Sequence, residues 1–403
     1  MPAAPPGQPS RAELLILGGS VRFLAASCHR AGWSVHACDR FGDADLLAIS
    51  SSYLRLPANT HEALPLVAAM PLLPFLFTGG LENAPSLLNT LARTRQAASA
   101  NAEAVAAVRD VATLARAATA AGLTVPETHN VPTGVPTDGS FLVKPQASVG
   151  GRGISPWHGG PCPATPSRWQ RFHDGTPHGV SVLLTDGRPP ILLGVSRDVR
   201  HRDATAAPGR AYAGSVTVQP EAWIEPLLSL ASLLAARHGL RGAVGIDCIV
   251  EDSGRAVLLE VNPRPTASME LIERTQGISI AAEHLTAFGL RSPRCPAAGA
   301  VPLPAHSGKA ILFAHQPLVV SMETHAAITA TVTGWHHDAE HAPIADIPQA
   351  GTAIGTGHPV LTVFADGDSS EAVDDLLASR LEAIRTQCFS QPSDEASLPR
   401  QQA

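Results

Sequence analysis

Residues Gly245 to Arg264, GIDCIVEDSGRAVLLEVNPR, constrain this chain more than any other stretch. Apolar runs over 243–250 and 256–262, separated by a turn around Asp252-Ser253-Gly254, predict a β-hairpin. With Ser253 and Gly254 as the turn residues, Asp247 lies opposite Glu260 and Gly245 opposite Asn262, all on one face. Two carboxylates so placed repel by about 3 kcal/mol at about 5 Å and an effective dielectric of about 20. A cation between them relieves the repulsion. The hard oxygen set of Asp247, Glu260 and the Asn262 amide suits Mg²⁺ (or Mn²⁺), normally completed by waters and substrate phosphates. Gly245 is expected to leave room for that ligand. The competing reading is an exposed hairpin with its charges on the wet face. Behind the pair, Pro263 holds Arg264 close, a side chain suited to clamping carboxylate or phosphate oxygens.

Upstream, the apolar strand Phe141-Leu142-Val143 ends in Lys144-Pro145 and runs into Ala147-Ser148-Val149-Gly150-Gly151-Arg152-Gly153. A lysine closing an apolar strand needs a partner, and a Gly-rich loop can turn backbone N–H groups toward an anion. Lysine, loop and acidic hairpin in this order resemble the ATP-grasp superfamily, whose members hold Mg²⁺ on ATP with an acidic strand pair and an Asn. Residues 245–273 resemble the signature at the end of that fold, and the likeness extends over most of 12–290. It implies that Lys144 contacts ATP phosphate or adenine and that Ser148, Gly150, Gly151 and Gly153 fold over the phosphates. It also implies that Gln170, Arg171, Phe172 and Asp174 lie along the hinge that reads adenine and ribose. The sequence departs from the family at Arg171, where an acid is common. It departs again after Gly175, where an acid often holds ribose and Asp174 is the substitute, and at Arg109-Asp110-Val111, which lacks a lysine usual near that position and offers Arg109 as the replacement.

The fold class implied is mixed α/β and α+β: an ATP-grasp domain, a Rossmann-like domain before it and a small β-rich C-terminal domain. The divisions expected are a flexible lead over 1–10, the Rossmann-like domain at 11–95, the ATP-grasp domain at 96–291, a Pro-rich linker at 292–308, the small domain at 309–388 and a tail at 389–403. Strand Leu14–Leu17, the turn Gly18-Gly19-Ser20, a helix to about Ala31 and strand Trp33–Cys38 open a doubly wound unit. Gly-Gly-Ser lacks the third glycine of a dinucleotide fingerprint, which leaves a structural or substrate-contacting unit as the alternative to NAD binding. Phe75 to Asn83 supplies another strand and Gly-rich turn. Residues 95–121 and 223–240 read as helices, and Thr266–Gln276 as a helix whose Glu270 and Glu273 favour a solvated face.

The C-terminal part is read as short strands at 310–314, 327–333 and 360–364 followed by a helix over 370–384. His337 and His341 have i, i+4 spacing, but Pro343 and the lack of a helical run favour a polar loop over a metal site. Residues 346–365 resemble the C-terminal domain of a carboxylate–amine ligase subgroup linked to methanofuran and tetrahydromethanopterin C1-carrier pathways, which includes tyramine–glutamate ligase-like enzymes.

A net charge of −6 gives no general reason to bind nucleic acid or an anionic membrane. Residues 1–10 lack the apolar core of a signal peptide, and Leu64 to Phe77 is interrupted by Pro65, Pro71 and Pro74. Six scattered cysteines without a C-x-x-C read as reduced residues of a cytoplasmic protein. The expected activity is ATP-dependent ligation of a small carboxylate to an amine through an acyl phosphate, with Arg264 as the catalytic residue and a homodimer possible. The alternatives are a non-catalytic ATP-binding protein and a biotin-carboxylase-like carboxylase.

Overall fold

The apolar run from Leu14 forms β1 (Glu13–Leu17), whose last four residues are fully buried. The computed structural model describes residues 12–57, 60–294, 303–333, 335 and 341–389. After β1 come α1 (Arg22–Arg30), β2 (Ser34–Asp39), α2 (Ala44–Ile49), β3 (Ser50–Arg55), α3 (Thr60–Ala68), β4 (Phe75–Phe77) and α4 (Pro85–Ala92). The strands make a parallel sheet in the order β3-β2-β1-β4, so the turns Gly18-Gly19 and Gly79-Gly80 sit side by side at one end of it. Gly19 N–H donates to Gly79 carbonyl at 2.7 Å. The helical spacing over 95–121 resolves into two helices, α5 (Ala102–Arg109) and α6 (Val111–Ala120). Asp110 breaks the run because its carboxylate caps α6 by accepting from Thr113 N at 2.8 Å. The break leaves Arg109 at a helix end.

A second sheet of four short strands follows: β5 (Thr128–His129), β6 (Phe141–Pro145), β7 (Ser155–Pro156) and β8 (Ser167–Arg171), in the order β5-β8-β6-β7. One face carries a small core of Val135, Phe141, Val143, Trp157 and Trp169. The alternation of β6 and β8 therefore turns Leu142, Lys144, Arg168 and Gln170 to the other face.

The largest sheet is built from β9 (Thr176–Leu184), β10 (Ile191–Asp198), β11 (Gly214–Val218), β12 (Gly242–Val250) and β13 (Ala256–Asn262). Its inner face packs on α7 (Glu225–His238) through residues such as Val180, Val244 and Leu227. α8 (Met269–Gln276) and α9 (Ile280–Ala287) lie on the opposite side, where Gly194 makes room for Ile272. The C-terminal strands continue this sheet. β14 (His306–Phe313) pairs with β11, and β18 (Pro359–Gly367) and β16 (Ile344–Ala345) extend it to eight strands in the order β13-β12-β9-β10-β11-β14-β18-β16. A separate pair, β15 (Leu318–Val319) and β17 (Ala353–Ile354), lies beyond it. α11 (Ser370–Phe389) covers β14 and β18.

The strand expected at 327–333 is the second half of a helix, α10 (Met322–Thr333). Its Thr and Val residues imitate a strand, but Ser321 caps the start by accepting from Thr324 N. Thr329, Thr331 and Thr333 return their hydroxyls to the carbonyls four residues back. The solvated face expected for Glu270 and Glu273 is also overturned, for both are buried. Glu270 pairs with Arg22 and with Lys309 at 3.1 Å, and Glu273 pairs with Arg30 and accepts from Ile280 N at 2.7 Å. Asp346, held at φ +54°, pairs with Arg22 at 2.9 Å, so one guanidinium ties together the N-terminal unit, α8 and the C-terminal segment. Burial pushes the Glu270 carboxyl up, but the Arg22 and Lys309 charges outweigh it and bring it down to about 2.

Candidate active site

The hairpin places Asp247 opposite Glu260 and Gly245 opposite Asn262, as the sequence predicts. The route to that register differs. The connection is a five-residue loop, Glu251 to Arg255, closed by Glu251 N donating to Arg255 carbonyl at 3.0 Å. Carried along the strands, that loop would set Asp247 against Leu259. A β-bulge between Asp247 and Cys248 inserts one residue on β13 and restores the facing pair. Glu260 is exposed and Asp247 is half-buried. Burial and the adjacent Glu260 carboxylate push the Asp247 carboxyl well up, against the pull of Arg264 and of Asn262, whose amide donates to Asp247 at 2.9 Å. Gly245 does not leave room for a ligand. A Cβ there would clash with the Thr266 methyl, so its missing side chain admits the chain's own Thr266.

Among the described residues no three His, Cys, Asp or Glu gather as a metal site. The hairpin offers two carboxylates and one amide oxygen. That is a partial, hard-oxygen shell of the kind Mg²⁺ completes with water and phosphate oxygens, and the raised Asp247 carboxyl fits a site that a cation relieves. Arg264 donates to Asn262 Oδ1 at 3.1 Å and to Glu82 Oε1 at 2.9 Å. Glu82 is buried and also accepts from Gly80 N at 2.6 Å. Glu82 thus joins the hairpin to the Gly79-Gly80 turn, and the sequence reading passed over it.

On the small sheet, Lys144 Nζ donates to Gln170 Oε1 at 3.0 Å. Arg168, one register step away, reaches the carbonyl of Arg109 at 2.9 Å, and its Nε is buried without a partner. Burial and the Arg109 charge lower the Arg168 guanidinium, with Asp110 and Glu260 acting the other way, so Arg168 lies within the electrostatic reach of the hairpin. The period of two from Gln170 was the signal that could have found it. Arg109 itself donates to Asn83 Oδ1 at 2.6 Å and to the carbonyl of Gln146. Arg171 points to the other face of the small sheet, paired with Glu127 at 3.0 Å and stacked over Phe141. The backbone N–H groups of Arg171 and Phe172 donate to Glu127 and Ser140. Phe172 is stacked by Arg210 at 4.7 Å, and Asp174 is exposed.

The Gly-rich loop lies between these parts. Gly150, Gly151 and Gly153 all have positive φ, and a Cβ on Gly151 would run into the Arg210 carbonyl oxygen. Tyr212 N donates to Gly150 carbonyl at 2.8 Å, and the hydroxyl of Ser148 donates to Arg152 carbonyl. On its other side, Val149 and Arg264 both approach Gly79 to 3.1 Å from its missing Cβ. Val149 and Arg264 meeting at Gly79, and Arg168 within the field of Glu260, set the 148–153 loop and the Lys144–Gln170 pair toward the hairpin of Asp247, Glu260, Asn262 and Arg264, while the Arg171 side chain lies on the other face of the small sheet. His336 and His337 lie outside the described residues, as does Cys295. Cys28, Cys38, Cys248 and Cys388 are buried and unbridged, while Cys162 is exposed. Among the described residues no helix is long and apolar enough to cross a membrane.

Residues 108–268 match the ATP-grasp domain family. A search of curated proteins finds no match. Among solved structures, the carboxyaminoimidazole ribonucleotide synthase of Aspergillus clavatus complexed with ATP aligns at 14% identity and TM-score 0.67, covering 93% of this chain and 99% of that one. The N5-carboxyaminoimidazole synthetase of Staphylococcus aureus aligns at 11% and 0.62, covering 92% and 97%. The L-amino acid ligase of Bacillus licheniformis aligns at 12% and 0.63, also covering 92% and 97%. The chain has the ATP-grasp fold.

Proposed function

We propose that this ATP-grasp chain is an ATP-dependent ligase that joins a small carboxylate to an amine through an acyl phosphate, releasing ADP and phosphate. The observation that carries the reading is the facing pair Asp247 and Glu260, with Asn262 and Arg264 beside it and with the Arg168 guanidinium, next to Lys144 on the small sheet, acting on Glu260. Asp247, Glu260 and Asn262 would hold Mg²⁺, which would neutralise the negative charge that develops during phosphoryl transfer. Lys144 and the 148–153 loop hold the phosphates from the opposite side, with Gln170 positioning the Lys144 ammonium. Arg264, steered by Glu82, stands where it can take the negative charge of an acyl phosphate. Positioning and electrostatic stabilisation then supply the catalysis, with no nucleophilic side chain required.

The named activity of the Bacillus licheniformis neighbour supports an amino acid as the acid. The two carboxyaminoimidazole neighbours favour a second reading in which bicarbonate is the acid, related to the carboxylase alternative. The narrower assignment to ligases of methanofuran or tetrahydromethanopterin pathways is carried by residues 346–365 alone, and pterin and furan acids belong in the same assay. The test is to incubate the protein with Mg·ATP, hydroxylamine and either pooled amino acids, bicarbonate or those precursors, and to measure hydroxamate, ADP and phosphate. Acid-dependent hydroxamate with ADP is expected. AMP with pyrophosphate sinks the acyl-phosphate route, and ATP binding without turnover in any pool supports the non-catalytic alternative.

A further inference from the structure

The cleft face of the large sheet carries a third carboxylate that the ligase reading leaves without work. Pairing runs Asp247 to Gly179 to Ser196 across β12, β9 and β10, so these share one face. Asp198 lies two residues beyond Ser196 on the same face and pairs with Ser215, which pairs with Lys309. Two strand spacings and two residues put its Cα about 12 Å from that of Asp247. Both side chains rise from the same face at that separation, so Asp198 does not share an ion with the hairpin. Its half-buried carboxylate makes no hydrogen bond or ion pair among the described residues.

A pair of hydroxyl groups begins at the residue opposite Asp198. Ser215 stands opposite it, and the Ser215 hydroxyl meets the Tyr212 hydroxyl at 2.9 Å. The charges of Asp198, Glu270 and Asp247 all act on the Tyr212 phenol, so the ring lies within electrostatic reach of both Asp198 and Asp247. The neighbouring cations are already engaged. Lys309 is paired with Glu270, and Arg202 donates to the carbonyls of Gly209 and Ala211, holding the segment that anchors the Gly-rich loop. Burial pushes the Asp198 carboxyl up to about 6, with Arg202 opposing, so it is ionised at neutral pH yet basic enough to accept a proton.

Resting on the ligase reading, we propose that Asp198, with the Tyr212 and Ser215 hydroxyls, forms the amine site, that the second substrate is a primary amine bound as its ammonium, and that Asp198 is its general base. The carboxylate takes one proton from the ammonium. The freed nitrogen lone pair attacks the acyl-phosphate carbonyl, the C–N bond forms, and the C–O bond to phosphate breaks with its electron pair leaving on phosphate. The second nitrogen proton goes to the departing phosphate, and Asp198 returns its proton to water.

The test compares methylamine with hydroxylamine as nucleophiles at about pH 7.5, in wild type, Asp198→Asn and Tyr212→Phe, with Mg·ATP and the acid pool that supports hydroxamate formation. Hydroxylamine is neutral there and needs no base. Asp198→Asn is expected to lose about 100-fold or more in kcat/KM for methylamine and far less for hydroxylamine, with wild-type thermal stabilisation by Mg·ATP showing that the variant folds. Tyr212→Phe is expected to raise the methylamine KM alone. Equal losses with both nucleophiles in Asp198→Asn, or an unchanged methylamine KM in Tyr212→Phe, overturn the assignment. Hydroxamate from the wild type, with methylamine unused, leaves the ligase standing and removes the primary-amine site. Absence of hydroxamate from the wild type removes the ligase reading and this site with it.

Discussion

Replacing Asp247 by Asn should make the unliganded protein more stable and at the same time remove its response to Mg·ATP. Asp247 and Glu260 face each other across the ladder, and the charge of Arg264 only partly offsets the burial and repulsion that raise the Asp247 carboxyl. Two like charges at about 5 Å repel by about 3 kcal/mol at an effective dielectric of about 20. Water around the exposed Glu260 reduces this to about 1–2 kcal/mol. The amide oxygen introduced by Asp247→Asn could still accept the hydrogen bond from Asn262, so little else is lost. The folded-state carboxyl is raised, so the wild type is penalised as pH climbs above about 4, where the unfolded chain ionises and the folded one resists. Below that pH the two proteins should match, and the difference should open upward. Thermal denaturation reads this as roughly 2–4 °C per kcal/mol for a cooperative unit of 150–250 residues. Saturating ligand at about 100 times its Kd adds about 2.7 kcal/mol to the wild type and should add almost nothing to the variant. A variant that is less stable than wild type without ligand, or that keeps the full Mg·ATP increment, refutes the account of this pair.

Three further outcomes follow from particular contacts. Glu270→Gln leaves Arg22 and Lys309 buried without their shared anion and should lower stability by about 3–5 kcal/mol. In the wild type that contribution is present above the unfolded carboxyl value of about 4.3 and is lost as pH falls toward the folded value of about 2, so the gap between the two proteins in denaturation should close in acid. Gly151→Ala drives a methyl into the Arg210 carbonyl at φ +70°, so the loop must lift, and the KM for ATP should rise by tenfold or more, on the order of 1.4 kcal/mol, with circular dichroism unchanged. Glu82→Gln weakens the hold on Arg264, so kcat should fall by about tenfold with a smaller change in the KM for ATP; equal changes in both would place Glu82 outside the steering of Arg264.

The hairpin was legible because its alternation and its Asn-Pro-Arg end fix the face on which charged residues fall. The facing of Asp247 and Glu260 nevertheless came from a two-residue turn that is not there, and a bulge at Leu259 offsets that error. Bulges leave little trace in local sequence, since the extra residue is an ordinary apolar one. The parallel N-terminal unit was legible from its buried runs and glycine turns. The Thr-rich helix at 322–333 was not, because β-branched residues that return their hydroxyls to the backbone look like strand residues until the cap at Ser321 is seen. Glu82 and the buried pairs of Glu270 and Glu273 were hidden for a different reason. Each derives its role from partners far away in the chain, and charge on a helix or strand carries no mark of what will be packed against it. Arg168 lay within reach, one alternation from Gln170.

In the proposed reaction a carboxylate attacks the γ-phosphorus of ATP beside Asp247, Glu260 and Asn262. Transfer of oxygen tests it directly: acids labelled with ¹⁸O in the carboxylate, supplied with Mg·ATP and hydroxylamine, should deliver one labelled oxygen to inorganic phosphate, seen as an isotope shift by phosphorus NMR. Label in AMP, or unlabelled phosphate from acid-dependent turnover, would contradict it.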